Sequence, residues 1–263
     1  MWGRVRRTST GLAGARRRAG ATSAPAARWP VRLVGRTPLG TEVTLRPLRL
    51  EDGPAFASVR RANAAWLEPW DATSPDPDAP ARGFAELVAQ YDADARAGRA
   101  LPFAVEVDGR LVGQLSVGSI VLGSFRSCFV GYWVSRSVAG RMVIPTALAL
   151  AGDHVVGTLG LHRVEVNIRP ENTASLAVVR KLGFREEGLR PHYLHIAGEW
   201  RDHVSFALTT EDLAGETFME RLARLAGDPA TGPGTHATQS SQQSLARHTE
   251  GGPAPGGGAH LPF

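Results

Sequence analysis

Cysteine and lysine are almost missing from this chain of 263 residues, which contains one of each, Cys128 and Lys181. A single cysteine excludes an internal disulfide and any metal site built from several thiolates. It suits a reducing compartment, and we expect the protein in the cytoplasm. No apolar run approaches the roughly 20 residues that cross a bilayer, so no membrane partner is expected. No metal is expected either, because the histidines lack ligand spacing of the HExxH type.

Positive charge is concentrated at one end of the chain. The formal net charge is +5, but residues 1–41 contain nine arginines and no acidic residue. The remainder has 21 basic and 25 acidic residues and is therefore net negative. We expect no nucleic-acid partner for this part, because a general affinity for polyanions needs clustered positive charge. Nucleic-acid association through the arginine-rich segment stays open as a weaker alternative.

Two segments are predicted to be disordered, residues 1–41 and residues 227–263. The first is rich in Arg, Ala, Gly and Ser, and the second in Gly, Pro, Ser, Gln and Thr. Such segments bury too little apolar surface to offset the entropy of ordering. For residues 1–41, an extension from a misplaced start codon, a targeting peptide and a nucleic-acid-binding arm remain alternatives.

The periodicity of residues 42–226 predicts one α+β domain. Apolar alternation predicts strands over 43–48, 103–107, 111–120, 128–134, 164–168, 189–196 and 203–209. Helical spacing predicts helices over 51–63, 81–97, 145–158, 173–182 and 211–225. The order is an antiparallel meander, then a strand–helix–strand–helix unit, then a hairpin.

The stretch from Cys128 to Phe184 carries the features that point to chemistry. A strand, FVGYWV, runs through a short loop, SRSVAGRMV, into a helix. The first turn of a helix has free N–H groups and a positive dipole end, which suit a pyrophosphate. A second strand and helix follow, with the sequence RPENTASLAVVRKLGF over residues 169–184.

This order of elements resembles the GNAT acetyltransferase superfamily, and more closely its RimJ/RimL-like branch, which acetylates the N-terminal amines of proteins. The resemblance covers roughly residues 41–210, and its specific part is HRVEVNIRPENTASLAVVRKLGF. Four weaker pieces fall in the right order: TLRPLRLED, GYWV, AGRMVIPTAL and YLHIAGEWRDHVSFAL. The resemblance implies the GNAT fold, with a mixed, mostly antiparallel sheet flanked by helices. It also implies acetyl-CoA as co-substrate.

The resemblance further implies which residues hold the cofactor. Strand backbone would pair with the pantetheine amides at Tyr132, Trp133 and Val134. The pyrophosphate loop would be Gly140, Arg141, Met142 and Val143. Asn172 would meet the pantetheine arm near the thioester, and Ser175 would reach the sulfur. Arg180 and Lys181 would either touch the phosphates of CoA or be solvated.

Met142 departs from the family pattern, which has glycine at this place in the loop. Glycine lets the backbone approach phosphates closely and adopt unusual φ values. Methionine has a β-carbon, so either the loop adopts ordinary backbone angles or the affinity for the cofactor falls.

Acetyl transfer also needs groups that move protons. An amine is mostly protonated at neutral pH, so a base or a water chain must deprotonate it. Glu165 and His195 are the two candidate bases, with an ion-paired structural role as the alternative for Glu165. Many family members protonate the departing thiolate with a tyrosine where this chain has Val179, so the resemblance points to Ser175 instead.

Other residues have two interpretations. Cys128 is a candidate nucleophile, but a buried packing role fits its place inside a predicted strand better. Trp66, Trp70 and Tyr91 form either an aromatic acceptor wall or part of the core. Glu68 either lines the acceptor groove or is an ordinary exposed carboxylate.

Three functions are compatible with these features. The preferred one is acetylation of a protein N-terminal amine by direct attack in a ternary complex. Acetylation of a small-molecule amine, such as an antibiotic or a polyamine, is the alternative within the same class. A degenerate GNAT domain that acts as a protein-interaction module comes from a different class and is motivated by Met142 and Val179. The protein is expected to be a monomer or a homodimer.

Overall fold

A computed structural model describes residues 29–76, 78 and 82–227. Of the segment 227–263 predicted to be disordered, Gly227 ends a helix and residues 228–263 lie outside the described part. Within the described part of the chain, eight strands form a single sheet in the order β1-β2-β3-β4-β5-β6-β8-β7. The strands are β1 Leu33–Arg36, β2 Glu42–Pro47, β3 Leu101–Val107, β4 Arg110–Val121, β5 Ser127–Val134, β6 Arg163–Ile168, β7 Arg185–Ile196 and β8 Glu199–Thr209. All neighbours are antiparallel except β5 and β6. This confirms the predicted mixed, mostly antiparallel GNAT sheet.

Helices pack on the sheet and join its strands. They are α1 Gly53–Ala62, α2 Ala64–Leu67, α3 Phe84–Arg96, α4 Val143–Asp153, α5 Thr173–Lys181, α6 Thr210–Leu213 and α7 Phe218–Gly227. Helix α4 is almost wholly apolar and buried, and Leu148 and Ala151 have no solvent exposure. Among the described residues, no helix is both long and apolar enough to cross a membrane.

The sheet begins before residue 42, so the prediction of disorder across residues 1–41 is wrong over part of that range. Leu33–Arg36 pair antiparallel with Glu42–Leu45 of β2. Leu33 packs against the core, and Gly35 lies so close to Leu150 that a β-carbon there would come within 2.9 Å of its side chain. An edge strand of four residues contains only a short apolar pattern, and this one is difficult to recognise in the sequence because arginines surround it. Residues 1–28 lie outside the described part of the chain.

The last predicted helix, over 211–225, is broken into α6 and α7. Ala214 and Gly215 end α6 with φ values of +52° and +92°, which no right-handed helix can continue. The start of α7 is held by Asp153, whose carboxylate accepts hydrogen bonds from the backbone N–H groups of Phe218 (2.6 Å) and Met219 (3.3 Å). The new start places α7 against α4, where Gly152 accommodates the ring of Phe218.

Strands β5 and β6 diverge after three residue pairs. Their parallel ladder joins Ser127–Phe129 to Arg163–Glu165 and then stops, although both strands continue. The second half of β5 therefore presents a sheet edge to an open gap rather than to a neighbouring strand. That gap lies between the starts of α4 and α5, and it positions the candidate site.

Candidate active site

A cavity of about 580 Å³ occupies the gap between β5 and β6. Its walls come from the end of β5, the loop into α4, the first turns of α5, the α2 region and the closing β7–β8 hairpin. The predicted residues that line it are Tyr132, Trp133, Val134, Gly140, Met142, Val143, Asn172 and Ser175. Lys181 also lines the cavity, whereas Arg141 and Arg180 are exposed and lie outside its lining.

The backbone of Tyr132, Trp133 and Val134 borders the cavity where β5 has lost its β6 neighbour. On the other side, the same residues stay paired with Leu115, Gln114 and Gly113 of β4. Gly113 is required there, because a β-carbon would come within 2.3 Å of the Trp133 carbonyl oxygen. An extended chain with amide groups can add to such an edge as an extra strand.

Hydrogen bonds within the loop from β5 to α4, and from this loop to Asn63, fix its conformation. The Ser135 hydroxyl accepts a hydrogen bond from the Ser137 backbone N–H (3.4 Å) and donates one to Asn63 Oδ1 (3.3 Å). Asn63 Oδ1 also accepts from the Arg136 N–H at 2.9 Å, which ties the loop to the end of α1. The loop leads directly into the first turn of α4, whose N–H groups have no partner within the helix. The arrangement suits an anionic group.

Met142 adopts a left-handed backbone conformation, with φ +62° and ψ 11°. Of the two alternatives for a loop with methionine, ordinary backbone angles are therefore excluded, and weaker binding of the cofactor is the one that is left. A residue with a β-carbon loses roughly 1–2 kcal/mol in this conformation, whereas glycine adopts it freely. The Met142 side chain is partly buried against the core, which offsets part of that cost. The loop thus keeps the backbone shape that a glycine would give it.

Asn172 and Ser175 lie together at the start of α5. Asn172 is the N-cap, and its side-chain Oδ1 accepts a hydrogen bond from the Ser175 N–H at 3.0 Å. Both residues line the cavity, opposite the β5 edge. Such a cap stabilises a helix by about 1 kcal/mol. Asn172 keeps its side-chain NH₂ group, which can donate to a ligand carbonyl.

Val179 lies one turn further along α5 and is completely buried in the core. A hydroxyl that faces the same region comes instead from Tyr132 on β5. Its oxygen is buried beside Ser175, and burial raises the pKa of Tyr132, an effect that Ser175 reduces in part.

Glu165 lies outside the cavity lining and is bound by two arginines. Its Oε2 is 3.0 Å from an Arg163 nitrogen, and its Oε1 is 2.8 Å from an Arg190 nitrogen. Asn167 adds a third contact by donating to Oε1 at 3.0 Å. A base must offer a free lone pair to the amine, and both carboxylate oxygens of Glu165 are occupied. This geometry favours the ion-paired structural role.

His195 also lies outside the cavity lining. Its Nδ1 is 2.6 Å from the Thr73 hydroxyl and 3.1 Å from the Thr73 carbonyl oxygen. The Thr73 N–H donates in turn to the His195 carbonyl at 2.9 Å. These contacts tie the loop after α2 to the hairpin. Glu68 is exposed and does not line the cavity either.

His203 lines the cavity, although no motif in the sequence indicated it. It is 3% exposed, and its Nδ1 donates to the Arg201 carbonyl oxygen at 3.1 Å. That bond leaves Nε2 as the nitrogen that can accept a proton. Burial lowers the pKa of His203 below its usual value, so the imidazole is neutral at pH 7. The alternation of β8 places Val204, Phe206 and Leu208 on one face and leaves His203 and Ser205 on the polar face. The fold buries that second face as well, so no local pattern in the sequence marked His203.

The remaining candidate residues divide between the cavity and the core. Trp66 and Trp70 line the cavity, and each carries an arginine over its ring, Arg136 at 5.8 Å and Arg169 at 5.4 Å. Tyr91 packs instead in the smaller core cluster below α1 and α3. Cys128 is buried, and burial raises the pKa of its thiol to about 12. Such a thiol is inert as a nucleophile at neutral pH.

Comparison with known proteins adds to this geometry. The sequence model described as "Acetyltransferase (GNAT) domain" matches residues 42–185. Ribosomal protein uS5-alanine N-acetyltransferase of Escherichia coli (strain K12) is 28% identical over 172 residues, which cover 65% of this chain and 89% of that protein. Spermidine N(1)-acetyltransferase of the same strain is 28% identical over 193 residues, which cover 71% of this chain and 100% of that protein. A solved structure of Mycobacterium smegmatis RimJ in complex with CoA-disulfide is 39% identical, with a TM-score of 0.68. The match covers 75% of this chain and 96% of that one.

Proposed function

The chain belongs to the GNAT acetyltransferase family and is an acetyl-CoA-dependent N-acetyltransferase; from that premise we propose that its acceptor is the N-terminal α-amine of a protein. Ribosomal proteins are the acceptor class that we favour, because the uS5-alanine enzyme is similar over most of its length. The M. smegmatis RimJ structure, which contains CoA, is similar over three quarters of this chain.

The observation that supports this proposal is the charge of the side chains that line the cavity. Among the described residues, Asp71 is the one carboxylate in the lining, and both of its oxygens already bind the Arg60 guanidinium. The other ionisable side chains in the lining are basic or neutral: Arg169, Lys181, His203, Tyr132 and Tyr193. A polyamine or a cationic antibiotic carries several positive charges, and this lining offers no free carboxylate to bind them. A single α-amine beside an aromatic wall meets no such obstacle.

We propose that His203 is the base and that Ser175 supplies the proton to sulfur. The amine nitrogen attacks the thioester carbonyl carbon, and its proton passes to Nε2 of His203, directly or through one water. A backbone N–H at the free edge of β5 stabilises the oxyanion. When the C–S bond breaks, the sulfur takes a proton from the Ser175 hydroxyl, which regains one from solvent. His203 returns its proton to solvent, so the protein ends the reaction with the protons that it had at the start.

In this proposal Glu165 and His195 have structural roles: they stabilise the closing hairpin and take no part in proton transfer. Glu165 joins β6 to Arg190 of the closing hairpin, and His195 joins that hairpin to the loop that contains Thr73. Both therefore support the acceptor side of the cavity without touching the reacting atoms. We also propose a cytoplasmic location, which fits an acceptor on newly made ribosomal proteins.

The acceptor is tested by competition between amines of different charge. The purified protein and acetyl-CoA are incubated with a peptide that begins Ala or Ser, with the same peptide blocked at its N-terminus but carrying an internal lysine, and with spermidine. Mass spectrometry of the products should show one added acetyl group on the first peptide alone. Faster acetylation of spermidine would overturn the choice of acceptor. The same mixture without the protein controls for uncatalysed transfer.

A further inference from the structure

The three tyrosines of the chain differ in how their hydroxyls are used. Tyr91 accepts a hydrogen bond from Gln114 at 2.8 Å, and Tyr193 accepts one from Asn167 at 3.2 Å. The Tyr132 hydroxyl is buried, and no group in the described part of the chain meets hydrogen-bond geometry with it. Buried polar groups are nearly always satisfied, so an unpartnered one in a cavity wall needs a functional explanation.

The surroundings of the Tyr132 hydroxyl identify its partner. Ser175 of α5 is the polar side chain that interacts with it. The two residues approach from opposite sides of the gap, since Tyr132 comes from the β5 edge and Ser175 from the first turn of α5. Ser175 is also the group to which the proposed function gives the proton for sulfur.

We propose that Tyr132 is a positioning residue for Ser175: its phenol donates a hydrogen bond to Ser175 Oγ when acetyl-CoA is bound, so that the Ser175 hydrogen points to the sulfur. This inference rests on the proposed function. A phenol held protonated by burial can only donate to the serine oxygen or accept from it. Donation occupies a serine lone pair and leaves the serine hydrogen free for the sulfur. No proton leaves Tyr132, and no bond to it forms or breaks.

The geometry explains how the fold manages without a tyrosine on α5. Val179 fills the core at that position, and it offers no polar atom. Tyr132 reaches the same serine from the neighbouring strand, through the gap that opens where the β5–β6 ladder ends. Hydrogen bonds in series polarise one another, so the serine becomes a better donor than it would be alone.

The first test is a double-mutant cycle on turnover. Tyr132→Phe removes the hydroxyl and keeps the ring, and it should lower kcat roughly tenfold with little change in KM for acetyl-CoA. In a Ser175→Ala background the same change should alter kcat less than about twofold, because the phenol acts through the serine. Tyr91→Phe is the matched control and should keep the wild-type kcat, since Tyr91 lies outside the cavity lining. An equal loss in both backgrounds, or no loss in Tyr132→Phe, overturns the proposal.

The second test needs no acceptor and therefore separates this inference from the proposed function. CoA is bound to the protein, and the pKa of its thiol is measured from the ultraviolet absorbance of the thiolate. Tyr132→Phe and Ser175→Ala should raise that pKa by similar amounts, and the double variant by no more than either alone. Unchanged thiol pKa in Tyr132→Phe contradicts the inference even if an amine is acetylated. If CoA does not bind to the wild-type protein, both proposals fail.

Discussion

The side-chain oxygen of Asn172 accepts a hydrogen bond from the backbone N–H of Ser175 at 3.0 Å. One residue therefore starts helix α5 and fixes the position of the group proposed to reach sulfur. Structure and chemistry are coupled at this point, because any change that loosens the cap also displaces the Ser175 hydroxyl. The coupling predicts that stability and turnover respond together.

Asn172→Ala should lower the free energy of unfolding by about 1 kcal/mol, because the cap is lost. It should also lower kcat. Asn172→Asp keeps an acceptor at the cap and should retain the stability, but it loses the NH₂ donor and should raise KM for acetyl-CoA. Urea denaturation and steady-state kinetics on both variants measure these effects. Full stability in Asn172→Ala would show that the cap contributes nothing.

Met142→Gly should tighten the binding of CoA. The wild-type loop already holds φ +62° at this residue, so relief of the roughly 1–2 kcal/mol that this conformation costs a residue with a β-carbon should raise the free energy of unfolding rather than the affinity. The affinity should rise because glycine lets the loop approach the pyrophosphate more closely. Titration calorimetry with CoA measures the gain in affinity, for which we expect a several-fold lower Kd.

Gly140→Ala is the matched control for the loop. Gly140 has φ +78°, and no atom lies within 4 Å of the place where its β-carbon would stand. The substitution therefore introduces backbone strain without a clash, and the free energy of unfolding, measured by urea denaturation, should change in the opposite direction. If Met142→Gly binds CoA no more tightly than the wild type, the methionine side chain does not limit the approach of the loop to the cofactor.

Local pattern in the sequence was sufficient for much of this site. Helix α5 begins at Thr173, the first residue of the predicted range 173–182, because an N-cap is recognised within four residues. The strand predicted over 128–134 agrees within one residue with β5, and the strands predicted over 103–107 and 111–120 appear as β3 and β4, joined by Asp108 and Gly109 at positive φ. Each of these features is determined by residues that are close together in the sequence, so a single sequence is sufficient to predict it.

What the sequence could not supply depends on contacts between distant segments. Glu165 and Asn167 share a strand face, but only the fold brings Arg190 to Glu165. His203 becomes buried because β8 lies between β6 and β7, an order that periodicity does not encode. The edge strand β1 was missed because its four residues stand among arginines. In each case a tertiary contact decided the outcome.

His203→Gln should change the pH dependence of acetylation as well as its rate. The acceptor α-amine has a pKa of about 7.7–8.0, so log kcat/KM of the wild type should rise with slope 1 below that pH. His203 must also be unprotonated to act as the base, and burial lowers its pKa below the usual histidine value. At acidic pH, where both the amine and His203 are protonated, the reaction requires the loss of two protons, so the slope should become 2. The variant should keep slope 1 throughout and react about a hundredfold or more slowly.

The control for this profile is His195→Gln, since His195 lies outside the cavity lining. It should retain the wild-type slopes and a rate within a few fold of the wild type. If His195→Gln instead loses the steep acidic limb and His203→Gln keeps it, the assignment of the base is wrong.

Glu165→Gln should affect stability more than chemistry. The substitution leaves Arg163 and Arg190 without one of their charged partners, and it should lower the free energy of unfolding by about 1–3 kcal/mol. Because Glu165 does not line the cavity, kcat/KM should remain within a few fold of the wild type. A loss of turnover in a variant of unchanged stability would restore Glu165 as a candidate base.

The Arg163–Glu187 ion pair should make the protein less stable in acid. The hydrogen bond from Arg163 lowers the pKa of Glu187 to about 2 from its usual 4.5. Because the folded state holds this carboxylate ionised, the stabilisation is present above pH 4.5 and is lost as pH falls toward 2. Urea denaturation across this range should show a weaker pH dependence for Glu187→Gln than for the wild type. Glu186→Gln, at the exposed neighbouring position, should keep the wild-type dependence; if both variants flatten it equally, the ion pair is not its source.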